Sequence, residues 1–222
     1  DKKTYGFQPE FGPVVLNYNN TETHLAISSD LLNWKKLGRI TNAKDDDRDV
    51  VIFPEKINGK FWRLSRPSNR CGDGYPNRNP AIFITSSTDV LEWDEPIELF
   101  YEGQEEWESL KVGISCPPLK TEKGWLVIYH GVSKTDKAYR VGAFLLDLND
   151  PRRILHRTHA PLMEPEYPYE LEGYYNGCVF PTGNVIKDGI LYVYYGAADH
   201  FIALATCRVN DLLNSLVKEA GK

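Results

Sequence analysis

Ala26-Ile27-Ser28-Ser29-Asp30-Leu31-Leu32-Asn33-Trp34 returns further along the chain as Ile84-Thr85-Ser86-Ser87-Thr88-Asp89-Val90-Leu91-Glu92-Trp93. In both copies a strand-like run ends in serine-rich turn residues, then an Asp, then a Trp. The Asp can accept hydrogen bonds from backbone amides across the turn, and the Trp is expected to plug between layers. A strand-and-turn unit recurring about every 50–60 residues is the pattern of a propeller blade. Outward from the two copies, short apolar runs alternate with Gly, Pro, Asn and Asp clusters: Val14–Tyr18, Phe61–Leu64, Ala81–Thr85, Trp125–Tyr129, Val141–Leu146 and Leu191–Tyr195. Each has strand length and turn-like borders. Asn58-Gly59 and Asp188-Gly189 stand between apolar residues and following runs, a strong hairpin signal. Helical spacing is convincing only at the C-terminus, where Asn210 or Asp211 can cap a helix with Leu212, Leu213, Leu216 and Val217 on one side. The expected class is all-β, a β-propeller with a short C-terminal helix, forming a single domain over residues 1–222; a face-packed sandwich is the alternative.

Composition narrows the partners. The chain has 222 residues, a formal net charge of −5, 41% hydrophobic and 26% charged residues, which excludes collagen, coiled coil and wholesale disorder. Mild acidity argues against nucleic acid or an anionic membrane held by bulk charge. No run approaches the roughly 20 apolar residues of a membrane-crossing helix. Asp1-Lys2-Lys3-Thr4-Tyr5 has no apolar run of the secretory kind. Cys71, Cys116, Cys178 and Cys207 are widely spaced without a CxxC pair, unlike a zinc site or a dense disulfide framework. Four reduced thiols in a cytoplasmic protein are expected, with two disulfides in an exported one as the alternative. Thirteen Tyr, nine Phe and five Trp against one Met favour pleated surfaces and offer ring faces on which sugars stack.

A series of motifs carries a resemblance to a known family. Phe53-Pro54-Glu55-Lys56-Ile57-Asn58-Gly59-Lys60-Phe61, Ser65-Arg66-Pro67, Gly124–Val132, Tyr139–Ala143, Asp147–Pro151, Val179–Gly183 and Tyr194–Asp199 occur in that order. Individually unspecific, together they resemble glycoside hydrolase family 130 over residues 25–207. The resemblance implies a five-bladed β-propeller with a central sugar pocket, acting on β-linked mannosides, mostly by inverting phosphorolysis that yields α-mannose 1-phosphate. Only about four blades fit in 222 residues, so the ring is expected to be incomplete at its N-terminus, open or closed by a partner chain.

Phosphorolysis needs cations that desolvate and orient a dianion: Arg supplies planar forks, Lys a point charge. Arg48, Arg66, Lys111 and His130 each stand at the border of a strand-like run, and the resemblance matches them to the family's phosphate-binding positions. Taken alone, Arg48 and Lys111 read as solvated surface charges and His130 as a satisfied core histidine; Arg66, closing the apolar strand Leu64-Ser65-Arg66-Pro67, is harder to read that way. Tyr139 and Phe180 match positions lining the family's sugar pocket, and on their own read as core or strand-face aromatics. Asp199, after Gly196-Ala197-Ala198, can accept two sugar hydroxyls or merely cap its turn. The acidic run Asp45-Asp46-Asp47 lacks calcium-loop spacing and reads as a solvated loop rather than a metal site.

Inverting chemistry also needs an acid to protonate the leaving oxygen. The family's acid lies in a Glu-Asp-Pro-Arg-like motif, which has no counterpart before Val14. Asp1, at roughly the right distance before Arg48 but followed by Lys2-Lys3, is the candidate general acid. Inorganic phosphate is the expected co-substrate, with no cofactor or metal. A mannose-containing disaccharide or oligosaccharide is the expected partner, and a homo-oligomer is left open. A β-mannoside hydrolase of the same family and a non-catalytic sugar-binding propeller are the alternatives.

Overall fold

A computed structural model describes residues 21–94 and 98–219. They form four antiparallel sheets in chain order. The first pairs β1 (His24–Ile27) with β2 (Lys35–Arg39). The second runs β3 (Asp47–Ile52), β4 (Phe61–Pro67), β5 (Ile82–Ser87) and β6 (Glu98–Tyr101) as neighbours. In the third, β7 (Lys111–Ile114) and β8 (Leu119–Thr121) both pair with β9 (Gly124–Val132), followed by β10 (Tyr139–Leu146) and β11 (Ile154–Arg157). The fourth is β12 (Val179–Lys187), β13 (Ile190–Ala197) and β14 (Phe201–Arg208). Among the described residues, helix is confined to a 3-10 turn at Glu106–Glu108, a single turn α1 (Pro168–Leu171) and the terminal α2 (Val209–Glu219).

The two sequence copies form the same turn. Asp30 accepts from the amides of Leu32 and Asn33 at 2.9 and 2.8 Å, and Asp89 from those of Leu91 and Glu92 at 2.9 and 2.8 Å. Leu31 and Val90 take the matching positive φ, 62° and 71°. The tryptophans differ from expectation. Each indole turns back on its own loop, donating to Leu31 O at 3.2 Å and Val90 O at 3.0 Å, and Trp34 stays 58% exposed instead of plugging between sheets. At both hairpin signals the Asn or Asp and the following Gly have φ between 51° and 78°, the double left-handed turn that matches strand twist.

Sheet packing explains the apolar runs. Every residue of β9, Gly-Trp-Leu-Val-Ile-Tyr-His-Gly-Val, is buried, because both faces of its sheet are covered. Trp125, Val127 and Tyr129 join Leu64, Ile82 and Ile84 of the second sheet and Phe53, just after β3. Alternate residues Leu126 and Ile128 join Val179, Leu191, Val193 and Tyr195 of the fourth sheet, together with Leu212, Leu213 and Leu216 of α2. Val217, expected on the buried side of that helix, is exposed. Two buried carboxylates tie loops to sheets: Glu108 accepts from Tyr101 at 2.5 Å and Tyr129 at 2.8 Å, and Glu170 from Tyr195 at 2.7 Å. This succession of face-packed antiparallel sheets is the blade stacking of a β-propeller. The four cysteines are free thiols.

Candidate functional site

Register brings the site together where β3, β4, β7, β9, β10 and β12 meet. Arg48 of β3 lies directly opposite Arg66 of β4. Gly113 pairs with His130, His130 with Val141, and both Lys111 and Tyr139 with Val132. Directly paired residues share a face, and side chains two apart do so as well. Lys111, Gly113, His130 and Tyr139 therefore project from one face of the third sheet. Phe180 of β12 meets them there, its ring 4.5 Å from that of His130 and 5.8 Å from that of Tyr139.

A bulge between Arg48 and Val51 turns one further residue into this space. Asp49 adopts a φ of 53°, and its Oδ2 accepts from both Nε and Nη2 of Arg66 at 2.6 Å. His130 Nε2 stands 3.6 Å from the same oxygen. Gly113 makes the approach possible, since a Cβ there would sit against Asp49 Oδ2 and 2.7 Å from the imidazole. Burial alone would raise the Asp49 carboxyl, but the charges of Arg66, His130 and Lys111 outweigh it and hold the group below its usual range.

His130 is fully buried, with Nδ1 3.1 Å from Ser115 Oγ and Nε2 without a hydrogen-bond partner. Burial pushes its pKa down to about 3; the Asp49 charge opposes this, whereas Arg66 and Lys111 reinforce it. At neutral pH the ring is an uncharged donor or acceptor, so the expected cluster of four cations is three cations and a neutral histidine. With His130 neutral, Arg66 is the main stabiliser of the Asp49 carboxylate.

Lys111 Nζ donates to Tyr139 Oη at 2.6 Å. Burial, aided by Arg66 and Arg48 and opposed by Asp49, lowers the Lys111 pKa to about 8. Arg48 pairs with Asp46 through Nε at 3.0 Å and Nη2 at 3.1 Å. Tyr175 packs edge-on against Tyr139 at 5.1 Å. Cys178 bridges to Tyr139 through the backbone, and its thiol feels both Lys111 and Asp199. Asp199 thus lies on the Cys178 side, exposed, after two consecutive left-handed residues, Ala198 and Asp199, at φ 49° and 54°. Partial burial raises its pKa.

Of the residues singled out from sequence, Arg66, Lys111, His130, Tyr139 and Phe180 lie in one cluster, Arg48 joins through its strand pairing, and Asp199 stands at its edge. Asp1 lies outside the described residues. The sequence reading missed Asp49, Ser115, Gly113 and Tyr175; Asp49 was hidden among neighbouring acids. The acidic run itself needs correcting, because it is not a solvated loop. Asp45 is buried against Arg70 at 2.8 Å, Asp46 holds Arg48, and the fully buried Asp47 faces Arg63 at 3.9 Å. Desolvation, partly offset by Arg63, lifts Asp47 to about 6. No group of three or more metal-ligating side chains occurs among the described residues.

The fold and this cluster define a β-propeller whose strand ends bring cations and aromatic rings together. The chain belongs to glycoside hydrolase family 130: the family model described as beta-1,4-mannooligosaccharide phosphorylase matches residues 15–219. It is 39% identical over 188 residues to a 1,2-beta-oligomannan phosphorylase of Thermoanaerobacter sp. (strain X514), covering 85% of this chain and 59% of the relative. A beta-1,2-mannobiose phosphorylase of Listeria innocua serovar 6a is 38% identical over 196 residues, 88% of this chain and 53% of the relative. The solved beta-1,2-mannobiose phosphorylase from Listeria innocua, in complex with beta-1,2-mannobiose, superposes with a TM-score of 0.79 at 37% identity over 88% of this chain and 53% of that one. The chain thus spans little more than half the length of the relatives it matches.

Proposed function

We propose that this chain carries the phosphate and mannosyl site of an inverting β-mannoside phosphorylase, with β-1,2-linked mannosides as its substrates. The observation that carries the reading is the convergence of Arg66, Lys111 and His130 beside Tyr139 and Phe180. Arg66 and His130 Nε2 meet at one carboxylate oxygen, and Lys111 bonds the tyrosine that packs beside them. In this reading Arg48, Arg66 and Lys111 supply charge to phosphate, and the unpartnered His130 Nε2 supplies a neutral hydrogen bond. Tyr139 and Phe180 wall the sugar, and Asp199 accepts its hydroxyls. A phosphate oxygen attacks C1 of the mannosyl unit from the face opposite the leaving oxygen. The C1–O glycosidic bond breaks, a general acid protonates the departing oxygen, and α-mannose 1-phosphate results. Phosphate is the nucleophile, so no carboxylate base is required. Asp1 is the proposed acid. The similarity to two proteins whose names specify β-1,2 linkages favours that linkage over β-1,4.

Product analysis tests this directly. Incubated with β-1,2-mannobiose and phosphate, the protein should form mannose 1-phosphate, and only when phosphate is present. Free mannose without phosphate would make it a hydrolase. Saturable sugar binding with no turnover would make it a binding propeller.

A further inference from the structure

Asp49 places a carboxylate directly on Arg66 and beside His130, where its charge opposes an anionic ligand. It sits in a left-handed conformation on a bulge (φ 53°) that turns its side chain toward Arg66 and His130. Its Oδ2 takes the Nε and Nη2 donors of Arg66, the same edge of the fork that would grip an oxyanion. The remaining Nη1 makes only a long contact, 3.4 Å, with Ser68 Oγ. We propose that Asp49 is a resident counter-anion: its carboxylate balances Arg66 and Lys111 in the free protein and competes with incoming phosphate for the same donors. This rests on the phosphorolysis reading of the site and adds to it a control on phosphate affinity.

Charge counting supports the assignment. With His130 neutral, Arg48, Arg66 and Lys111 are positive and Asp46 and Asp49 negative, leaving one net positive charge for a dianion. Removing the Asp49 charge would leave two. Clustered buried cations would otherwise repel one another, and the carboxylate relieves that repulsion before phosphate arrives. At a separation of about 5 Å and an effective dielectric near 20, one carboxylate charge should weaken the binding of even a singly charged phosphate by about a hundredfold or more.

Asp49→Asn removes the charge, keeps an oxygen acceptor for Arg66, and suits positive φ, where Asn is well tolerated. Binding of inorganic phosphate is measured by calorimetry on the wild type and the variant, and melting temperature is recorded with and without phosphate. The expected result is phosphate binding about a hundredfold tighter or more, a lower melting temperature without phosphate and a larger rise on adding it. A residue serving only to hold Arg66 would lower the melting temperature without tightening binding. Affinity equal to or weaker than wild type therefore overturns the proposal. If Asp49→Asn fails to fold, Asp49→Gly, which also tolerates the backbone angle, is read by the same criterion. The two readings fail separately. Absence of mannose 1-phosphate overturns the catalytic reading while leaving the affinity comparison intact, and an unchanged affinity overturns the counter-anion while leaving turnover intact.

Discussion

Lys111 makes the site sensitive to pH in a definite direction. Its ammonium is depressed to about 8 by burial and by Arg66, so it is charged at neutrality and loses its proton just above. A bound phosphate would favour the charged form, so protonation and anion binding support each other. Phosphate affinity should fall by up to about tenfold per unit as pH rises from about 8 to about 9. His130, lowered to about 3, should add no step between about pH 5 and about pH 9. Thermal shifts with phosphate across this range test the point; in Lys111→Ala the slope should disappear. Equal slopes in wild type and variant would place Lys111 outside the anion site. Lys111 was legible in the sequence only through the order of the family motifs, since a lone lysine at a strand border is ordinarily a solvated charge. Asp49 was not legible at all. Four acids, Asp45, Asp46, Asp47 and Asp49, crowd around Arg48, and it is the bulge between Arg48 and Val51, invisible in composition, that turns Asp49 toward Arg66 and His130. The charge state of His130 was misread for a similar reason: burial decides it, and burial is a property of the packed sheets.

At the level of strands and turns, much could be read beforehand. The Asp30 and Asp89 turns, both Asx-Gly hairpins and the terminal helix follow from local chemistry that acts within a few residues. What could not be read is long-range. The indoles of Trp34 and Trp93 are satisfied by their own loops, which their sequence does not distinguish from a plug. Glu108 is a second case. It lies in a short polar turn, yet its carboxylate receives Tyr101, Tyr129 and the amides of Gln104 and Glu105, joining β6 and β9 through one buried anion. Glu108→Ala should cost about 3–5 kcal/mol by orphaning those donors, measured by denaturant unfolding; a loss under about 1 kcal/mol would mean the hydroxyls find other acceptors. Gly113→Ala probes β7 differently. The added methyl would meet Asp49 and the His130 ring, overpacking a site with little room to yield. Phosphate should no longer raise the melting temperature of this variant, while its unfolding stays cooperative.

For the whole molecule, the succession of sheets explains both what is rigid and what is left uncovered. The second and third sheets bury each other, and the third and fourth do the same with α2 added. The far face of the fourth sheet has no such neighbour among the described residues. Pairing places Val185 opposite Tyr192, Tyr194 opposite Leu204, and Gly196 opposite Ile202, so these side chains share one face. Val185 is 46% exposed, Tyr194 45%, Leu204 48% and Ile202 87%. In a propeller such a face is covered by the next blade, and this one is too apolar for a surface made only to meet water. The chain should therefore associate with itself as concentration rises, burying these residues at a shared interface. Light scattering over a concentration series checks this. Ile202→Lys with Leu204→Lys should hold the protein monomeric at little cost in stability, within about 0.5 kcal/mol, since both side chains already face solvent. The same double variant should bind phosphate as the wild type does, because the cation cluster draws on β3, β4, β7 and β9 and on neither substituted position. A wild-type chain that remains monomeric throughout the series would show that this face tolerates water as it stands.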